Sequence, residues 1–152
     1  MDLPDVNILI YAHRSELTWH KPCHVWLERA VNGTESFGMS ELVLSAFLRL
    51  VTNPKIFKTP TPLETALLFV NTIRQNENCV IISPDLQHWN IFTHLCREIN
   101  ARGNDIPDVY FAALAIESDC EWISTDRGFA RFSDLKWRNP SENFTPNQVR
   151  QD

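Results

Sequence analysis

Apolar and polar positions along this chain fall into blocks that predict short strands separated by longer helices. Four short segments carry the strand signals, and they are 6–12, 35–39, 79–83 and 121–124. The segments between them carry apolar residues at helical spacing, as at Trp26, Leu27 and Ala30. Short strands that alternate with helices of about ten to fifteen residues favour a parallel sheet covered on both faces. The pattern therefore predicts an α/β fold.

Capping and stop signals set the bounds of the predicted helices. Ser40 has the form of an N-cap for the apolar helix that follows it, and Asn53-Pro54 ends that helix. Thr61 is predicted to cap a later helix that has Pro62 in its first position. The predicted helices are 20–31, 41–51, 62–75, 86–101 and 107–118.

Length and composition agree with a single globular domain. The chain has 152 residues, of which 43% are hydrophobic. A domain of this length buries roughly 70% of its unfolded surface around one core. The sequence shows no internal repeat, low-complexity tract or second domain, so we expect one domain at 1–142 and a short tail at 143–152.

Neither a membrane nor an oxidising compartment is indicated. No run of about 18 apolar residues occurs, and the first residues lack the basic, then apolar order of a signal peptide. The four cysteines are widely separated and include no Cys-x-x-Cys pair, which argues against a zinc ribbon or a redox motif. We therefore expect a cytoplasmic protein without membrane contact, in which the cysteines are buried small apolar residues.

Acidic residues stand at four places where an apolar run meets a turn or a helix start. They are Asp5, Glu41, Asp108 and Asp126. In an open parallel sheet, ligands bind beyond the carboxyl ends of the strands, and this edge would gather the four carboxylates. Like charges that close cannot all stay ionised without a cation, and oxygen ligands suit Mg²⁺ or Mn²⁺, which activate water against phosphate esters. For each acid taken alone, a simple helix-start signal is the competing interpretation.

The charge pattern bears on whether the partner is a nucleic acid. A net charge of −5 weighs mildly against one, because phosphate binding usually needs a basic face. The last third of the chain nevertheless interleaves cations with aromatic residues, and these are Arg127, Phe129, Arg131, Phe132, Lys136, Trp137 and Arg138. Such a surface suits single-stranded nucleic acid. The alternative is a solvated charged face with the aromatic rings in the core.

Three blocks of sequence, taken in their order and spacing, resemble one known family. The blocks are Asp5-Val6-Asn7 with the apolar residues that follow, Asn104-x-x-Pro107-Asp108 with Ala112-Ala113-Leu114-Ala115, and Ser124-Thr125-Asp126-Arg127-Gly128-Phe129. They resemble the signature of the PIN-domain ribonucleases, and the stretches 47–54 and 132–140 are similar to a subgroup of VapC-type toxins. The resemblance spans about residues 3 to 140. It implies a PIN-like three-layer domain with a central parallel sheet flanked by helices.

The resemblance also implies a set of site residues. The metal-binding and catalytic acids are Asp5, Glu41, Asp108 and Asp126, and the supporting residues are Asn7, Ser124 and Thr125. Glu41 fills the fourth place because the segment 42–48 contains no acid. Many family members carry a further acid two residues after the one matched by Asp126, and here that position is Gly128. Asp105 either replaces that ligand or caps the helix that follows it.

The implied function is that of a Mg²⁺- or Mn²⁺-dependent endoribonuclease, the toxin of a bacterial toxin–antitoxin pair. Hydrolysis by a metal-bound water would leave a 5′ phosphate without a covalent enzyme intermediate. The implied partners are an RNA substrate, a small VapB-like antitoxin and a second copy of the chain in a homodimer. The antitoxin is expected to place an Arg or Lys against the aspartates and an apolar helix over a groove near 42–47. The second interpretation is a non-catalytic PIN-fold module that binds RNA or a protein.

A rival metal site is weaker in the sequence. His20, Cys23 and His24 share one predicted helix and could bind zinc from one face of it. No distant Cys or His pair is marked out to complete a tetrahedron, so we interpret these residues as an ordinary helix start. With only four glycines in the chain, a glycine-rich phosphate loop is also excluded.

Overall fold

The computed structural model describes residues 1–142 and residue 144. Its strands are β1 (Asp2–Pro4), β2 (Phe37–Met39), β3 (Cys79–Ile81), β4 (Glu121–Ile123) and β5 (Trp137–Arg138). Its helices are α1 (Val6–His13), α2 (His20–Asn32), α3 (Glu41–Val51), α4 (Leu63–Arg74), α5 (His88–Glu98) and α6 (Asp105–Glu117), with a short 3₁₀ helix at Arg127–Arg131. The tail predicted at 143–152 lies outside the described residues except for Phe144.

All strand pairs run parallel, as the alternation of strands and helices predicts. One sheet has the order β1-β4-β5 and the other pairs β2 with β3. The two sheets adjoin through β1 and β2. A Cβ added at Gly38 in β2 would lie 2.9 Å from Ile82 Cγ1 and 3.2 Å from Leu3 Cδ1, so a larger residue here would press on these packed side chains. The predicted α/β fold, with a central parallel sheet flanked by helices, is confirmed.

The first predicted strand is wrong, because the apolar run 6–12 forms helix α1. Asp5 begins this helix, since its side chain accepts a hydrogen bond from the backbone N–H of Val6. The strand before it is only three residues long and ends in Pro4. Helix α1 is apolar on several sides because it is packed between other elements, and such a run cannot be distinguished from a buried strand by periodicity alone.

Two further details differ from the sequence-based expectations. Thr61 does not cap α4, which begins after Pro62 without a side-chain cap; instead its hydroxyl contacts His13 and Arg14 of the α1 end. The segment 79–83 is not a buried strand, because β3 lies at the end of the strand order and Val80 is 41% exposed. In contrast, the predicted cap of α3 is confirmed, since Ser40 Oγ accepts from the N–H of Leu42 at 3.2 Å.

The helices form two groups around the sheets. Helix α1 packs against α2 and α3, α3 packs against α4, and α5 packs against α6. The largest fully buried side chains are Trp122, Phe47 and Phe132. Of the four cysteines, Cys23 and Cys120 are buried and the other two are half-buried. Within the described part of the chain, no helix is both long enough and apolar enough to cross a membrane.

Candidate active site

Asp5 lies at the junction between β1 and α1, at the carboxyl edge of the sheet. Its backbone N–H extends the β1–β4 ladder by donating to the carbonyl of Ile123 at 2.8 Å. Its Oδ1 accepts from the N–H of Val6 at 2.7 Å, and its Oδ2 accepts from the Ser124 hydroxyl at 2.7 Å. The residue is only 7% exposed. The fold therefore fixes one carboxylate firmly at this edge.

The three residues predicted to support Asp5 are all in its hydrogen-bond network. The Asn7 amide donates to Asp5 Oδ2 at 3.1 Å and to Ser124 Oγ at 3.0 Å. Its Oδ1 accepts from the backbone N–H of Thr125 at 3.2 Å. Ser124 Oγ also accepts from the backbone N–H of Asp126 at 3.1 Å. This network joins the start of α1 to the loop after β4, so it holds Asp5 and Asp126 in one arrangement.

Asp5 interacts electrostatically with two of the other predicted acids. The pKa of Asp5 is raised from 3.8 to about 6, mainly by burial and also by the charges of Asp108 and Asp126, against the lowering effect of its hydrogen bonds. Asp108, in the first turn of α6, also has a raised pKa, because it is partly buried and faces Asp126. The structure thus brings these three aspartates to one place, as the strand-end positions predict.

Asp126 takes a different local role from Asp5. It caps the 3₁₀ helix, and its Oδ1 accepts from the backbone N–H of Gly128 at 2.8 Å. The residue is exposed. Gly128, where many family members would carry a further acid, therefore contributes its backbone N–H and leaves Asp126 as the only acid of this loop.

Glu41 is placed apart from the other three acids. It begins α3 as predicted, but its Oε2 accepts from Arg74 Nε at 2.9 Å, and both side chains are about half exposed. The charges that raise the pKa of Asp5 do not include that of Glu41. The structure therefore joins Glu41 to α4, and its assignment as a site residue stays a prediction.

Arg131 contacts the aspartate cluster in a way that sequence reasoning did not predict. Its guanidinium lies 3.3 Å from Asp108 Oδ2 and 3.3 Å from Asp105 Oδ1, and it lies over the Phe132 ring at 5.1 Å. Asp105 does not cap α6 by its side chain, since the cap is Asn104 and Asp105 Oδ2 accepts from the N–H of Arg102. The interleaved cations in the sequence were the only signal for this contact.

The aromatic residues near Arg131 do not form a stacking surface for bases. Phe129 and Phe132 are each 2% exposed. The indole N–H of Trp137 donates to the Ser124 carbonyl at 3.1 Å, which holds this half-buried ring against the sheet. The alternative interpretation of this segment is confirmed, because these rings lie in the core and the cations are left at the surface.

The donor set fits a hard divalent cation. It consists of carboxylate oxygens, the ligands that Mg²⁺ and Mn²⁺ prefer, and the mutual repulsion of the aspartates would be relieved by a cation. Among the hydrogen bonds of the described residues, Asp108 Oδ1 and Asp126 Oδ2 are left without a partner. No three His, Cys, Asp or Glu side chains in the described residues lie close enough to enclose an ion, so metal binding requires the carboxylates to turn toward one another.

The rival zinc site is not formed in the described residues. Cys23 is fully buried and faces the core, whereas His20 uses Nδ1 in a 2.7 Å hydrogen bond with the Tyr11 carbonyl. The rings of His20 and His24 stack at 5.1 Å. These residues stabilise the start of α2 and its contact with α1.

Comparison with known proteins assigns the chain to a family. The family model of the PIN domain matches residues 3–135. The chain belongs to the PIN domain family, whose VapC nucleases depend on divalent metal ions.

Individual relatives are similar to the chain over nearly its whole length. The chain is 40% identical over 141 residues to Ribonuclease VapC43 of Mycobacterium tuberculosis. The alignment covers 93% of this chain and 96% of that protein. It is 36% identical over 140 residues to Ribonuclease VapC25 of the same organism, with 92% and 99% covered.

Solved structures resemble the chain in fold. VapBC2 from Rickettsia felis, solved bound to a DNA fragment from its promoter, aligns with a TM-score of 0.68 and 18% identity, covering 91% of this chain and 97% of that one. VapBC-1 from nontypeable Haemophilus influenzae aligns with a TM-score of 0.66 and 16% identity, covering 93% and 98%. At these identities, the likeness concerns the fold.

Proposed function

We propose that the chain is a Mg²⁺- or Mn²⁺-dependent endoribonuclease that acts as the toxin of a toxin–antitoxin pair. The observation that carries the proposal is the interacting cluster of Asp5, Asp108 and Asp126 at the carboxyl edge of a PIN-family sheet. The likeness of the chain to a protein named as a VapC ribonuclease, at 40% identity over 141 residues, supports the choice of RNA as substrate.

Asp5, Asp108 and Asp126 are the proposed metal ligands, with Glu41 as the proposed fourth acid. When bound, a divalent ion lowers the pKa of a coordinated water and neutralises charge on the phosphoryl oxygens. Asn7 and Ser124 hold Asp5 Oδ2 by two hydrogen bonds, which fixes the direction in which the carboxylate presents its free lone pairs. Thr125 supports Asn7 through its backbone N–H.

We assign Asp126 the role of orienting the water nucleophile. Its Oδ1 is fixed by the N–H of Gly128, whereas its Oδ2 faces solvent without a partner in the described residues. That oxygen can accept a proton from water as the new oxygen–phosphorus bond forms. The bond from phosphorus to the 3′ oxygen then breaks and the departing oxygen takes up a proton from solvent water, which leaves a 5′ phosphate on one product and a 3′ hydroxyl on the other.

Partner binding is proposed for the exposed apolar residues of α3 and α4. Leu42 on α3 and Leu63 and Leu68 on α4 are 52%, 57% and 69% exposed. Phe47, expected in the groove, is fully buried, so the accessible part of this surface is centred on Leu42 and α4. An apolar helix of a VapB-like antitoxin fits such a surface, and an Arg or Lys of the antitoxin would pair with the aspartates. We also propose that the chain forms homodimers.

Cleavage of a structured RNA by the purified chain tests the proposed activity. We expect cleavage with Mg²⁺ or Mn²⁺, none with EDTA, and none with Asp5→Asn. Asp134→Asn, which makes the same substitution at an exposed position, serves as the control and should cleave like the wild type. RNA binding without cleavage by the wild type would favour the non-catalytic binding module instead.

The toxin role is tested in bacterial cells. Expression of the chain alone should arrest growth, and co-expression of the cognate antitoxin should relieve the arrest. The double variant Asp5→Asn, Asp108→Asn should be harmless alone and should still bind the antitoxin. Growth arrest by this double variant would show that toxicity does not pass through the aspartate cluster.

A further inference from the structure

Arg131 holds one oxygen of a carboxylate that is proposed to bind a divalent ion. Its guanidinium approaches Asp108 Oδ2 at 3.3 Å, and Asp108 is one of the three aspartates of the cluster. The hydrogen bonds of the described residues include no other Arg or Lys on Asp5, Asp108 or Asp126. A cation that this chain itself supplies therefore lies against one of the three carboxylates proposed to bind the ion.

The surroundings of Arg131 hold its guanidinium at this position while leaving it able to move. One end-on nitrogen contacts Asp105 and the other contacts Asp108, so the planar group bridges two carboxylates of α6. The guanidinium also lies over the ring of the buried Phe132, its neighbour in sequence. Arg131 and both aspartates remain about one third exposed, and the distances of 3.3 Å are long for charge-assisted hydrogen bonds. This contact is therefore of the kind that a stronger ligand can displace.

We propose that Arg131 occupies Asp108 in the metal-free protein and becomes a ligand of an RNA phosphate when a divalent ion binds the aspartates. The inference rests on the proposed function of the cluster as a metal site for RNA hydrolysis. A divalent ion and a guanidinium repel each other, and the ion draws negative charge from the Asp108 carboxylate, so the contact of Arg131 with Asp108 weakens when the ion binds. Asp105 is not one of the three aspartates proposed to bind the ion, so its contact with Arg131 persists. This contact keeps the released guanidinium beside the ion.

The chemistry of the guanidinium selects phosphate as its next partner. Its planar fork of N–H donors matches the oxygens of a phosphate as well as those of a carboxylate. The phosphodiester that is cleaved must lie against the ion, and Arg131 would lie within reach of that group or of the next phosphate along the strand. In a chain of net charge −5, a cation released at this place offsets the repulsion between the acidic protein and RNA.

The first arm of the test measures metal affinity. Mn²⁺ is titrated into the wild type, Arg131→Gln and Arg127→Gln by calorimetry without RNA. Arg127 lies on the same 3₁₀ helix but makes no hydrogen bond to the aspartates among the described residues. Removing the competing cation should tighten Mn²⁺ binding roughly threefold to tenfold in Arg131→Gln, and Arg127→Gln should stay within about twofold of the wild type.

The second arm measures binding of a phosphorothioate RNA, which resists hydrolysis, to proteins that keep all three aspartates. With saturating Mn²⁺, adding Arg131→Gln should weaken RNA binding roughly tenfold to a hundredfold, because a charge-assisted hydrogen bond to phosphate is lost. Arg131→Lys keeps the charge but loses the fork, so its RNA affinity should lie between the two. Adding Arg127→Gln should have a smaller effect.

Opposite changes in the two affinities are the signature of the proposed role. A residue that only stabilises the fold would weaken both, and unchanged or weaker Mn²⁺ binding by Arg131→Gln overturns the inference. If the wild type cleaves RNA with metal, but Arg131→Gln does not both tighten Mn²⁺ binding and weaken RNA binding, this inference fails and the proposed function stands. If the wild type binds no Mn²⁺ at all, both fail.

Discussion

Asp5 is the most buried of the three clustered aspartates, and its position determines how the site responds to protons. Burial and the neighbouring charges of Asp108 and Asp126 raise its pKa to about 6, although the hydrogen bonds from Ser124 and Val6 act in the opposite direction. The metal-free protein therefore holds a carboxyl group that ionises only near neutral pH. At the proposed metal site, a divalent ion would bind more tightly as this group loses its proton.

The raised pKa of Asp5 predicts how the metal-free protein responds to pH. In the unfolded chain the carboxyl ionises near its ordinary value of 3.8, and in the folded chain near 6. The contribution of Asp5 to the free energy of unfolding should therefore be most favourable below about pH 4. It should fall by on the order of 3 kcal/mol as the pH rises past 6. Asp5→Asn should lack this loss.

Urea unfolding in the presence of EDTA, at about pH 4 and about pH 7, checks this prediction. The Asn variant should gain stability relative to the wild type as the pH rises between these values, because only the wild type carries a buried carboxylate there. Parallel pH profiles for the two proteins would contradict the assigned environment of Asp5.

Ser124 offers a second test at the same scale. Its buried hydroxyl donates to Asp5 and accepts from Asn7 and from the N–H of Asp126. Ser124→Ala should cost about 1 to 3 kcal/mol, since it leaves buried polar groups without partners, and RNA cleavage should fall as well. Ser118→Ala is the control, because that hydroxyl donates only to backbone carbonyls at the end of α6. Equal effects of the two substitutions on cleavage would argue against a role for Ser124 in the site.

At the scale of elements, the helices α2 to α6 and the strands β2 to β4 were predictable, whereas β1, α1 and β5 were not. The run 6–12 was misassigned because a packed helix and a buried strand are both uniformly apolar. Thr61 was misassigned because its hydroxyl is used by His13 and Arg14, contacts that join positions nearly fifty residues apart. The aspartates could be predicted because each follows or begins an element at one edge of the sheet. The Arg131 contact could not, since it depends on the path of the loop after β4.

The pair of Glu41 and Arg74 connects α3 with α4 and separates two possible roles for Glu41. Both side chains are about half exposed, so the ion pair contributes less than about 1 kcal/mol to stability. If Glu41 serves the site, Glu41→Gln should reduce RNA cleavage roughly tenfold or more. Arg74→Gln breaks the same ion pair but keeps the carboxylate, and should cleave like the wild type.

Measured cleavage rates and melting temperatures of the two variants distinguish these roles. Similar small changes in stability are expected for both, with the loss of activity confined to Glu41→Gln. Wild-type cleavage by Glu41→Gln would mean that Glu41 only begins α3 and pairs with α4.

At the scale of the whole molecule, the cluster concentrates negative charge in an already acidic protein. The chain carries a net charge of −5, and the aspartates repel one another at the edge of the sheet. Binding a cation at this place should therefore stabilise the folded state as a whole. RNA binding should depend on the same event, because an acidic surface repels phosphates until it is neutralised.

Thermal unfolding with and without Mg²⁺ or Mn²⁺ measures this coupling. At a hundred times the dissociation constant, a specific ion adds about 2.7 kcal/mol, which corresponds to roughly 5 to 10 °C in Tm for a domain of this size. Asp108→Asn should show a smaller rise, and Asp134→Asn should show the full rise. The same rise in the wild type and in Asp108→Asn would remove Asp108 from the metal site.

The chemical ends of the RNA products test the central claim most directly. If the aspartates hold an ion that activates water, cleavage leaves a 5′ phosphate and a 3′ hydroxyl, because water attacks the phosphorus and the 3′ oxygen departs. The ends are determined by enzymatic labelling and mass spectrometry of RNA cut by the wild type with Mg²⁺. Products with a 5′ hydroxyl and a 2′,3′-cyclic phosphate would contradict the account, since they arise when the RNA's own 2′ hydroxyl is the nucleophile.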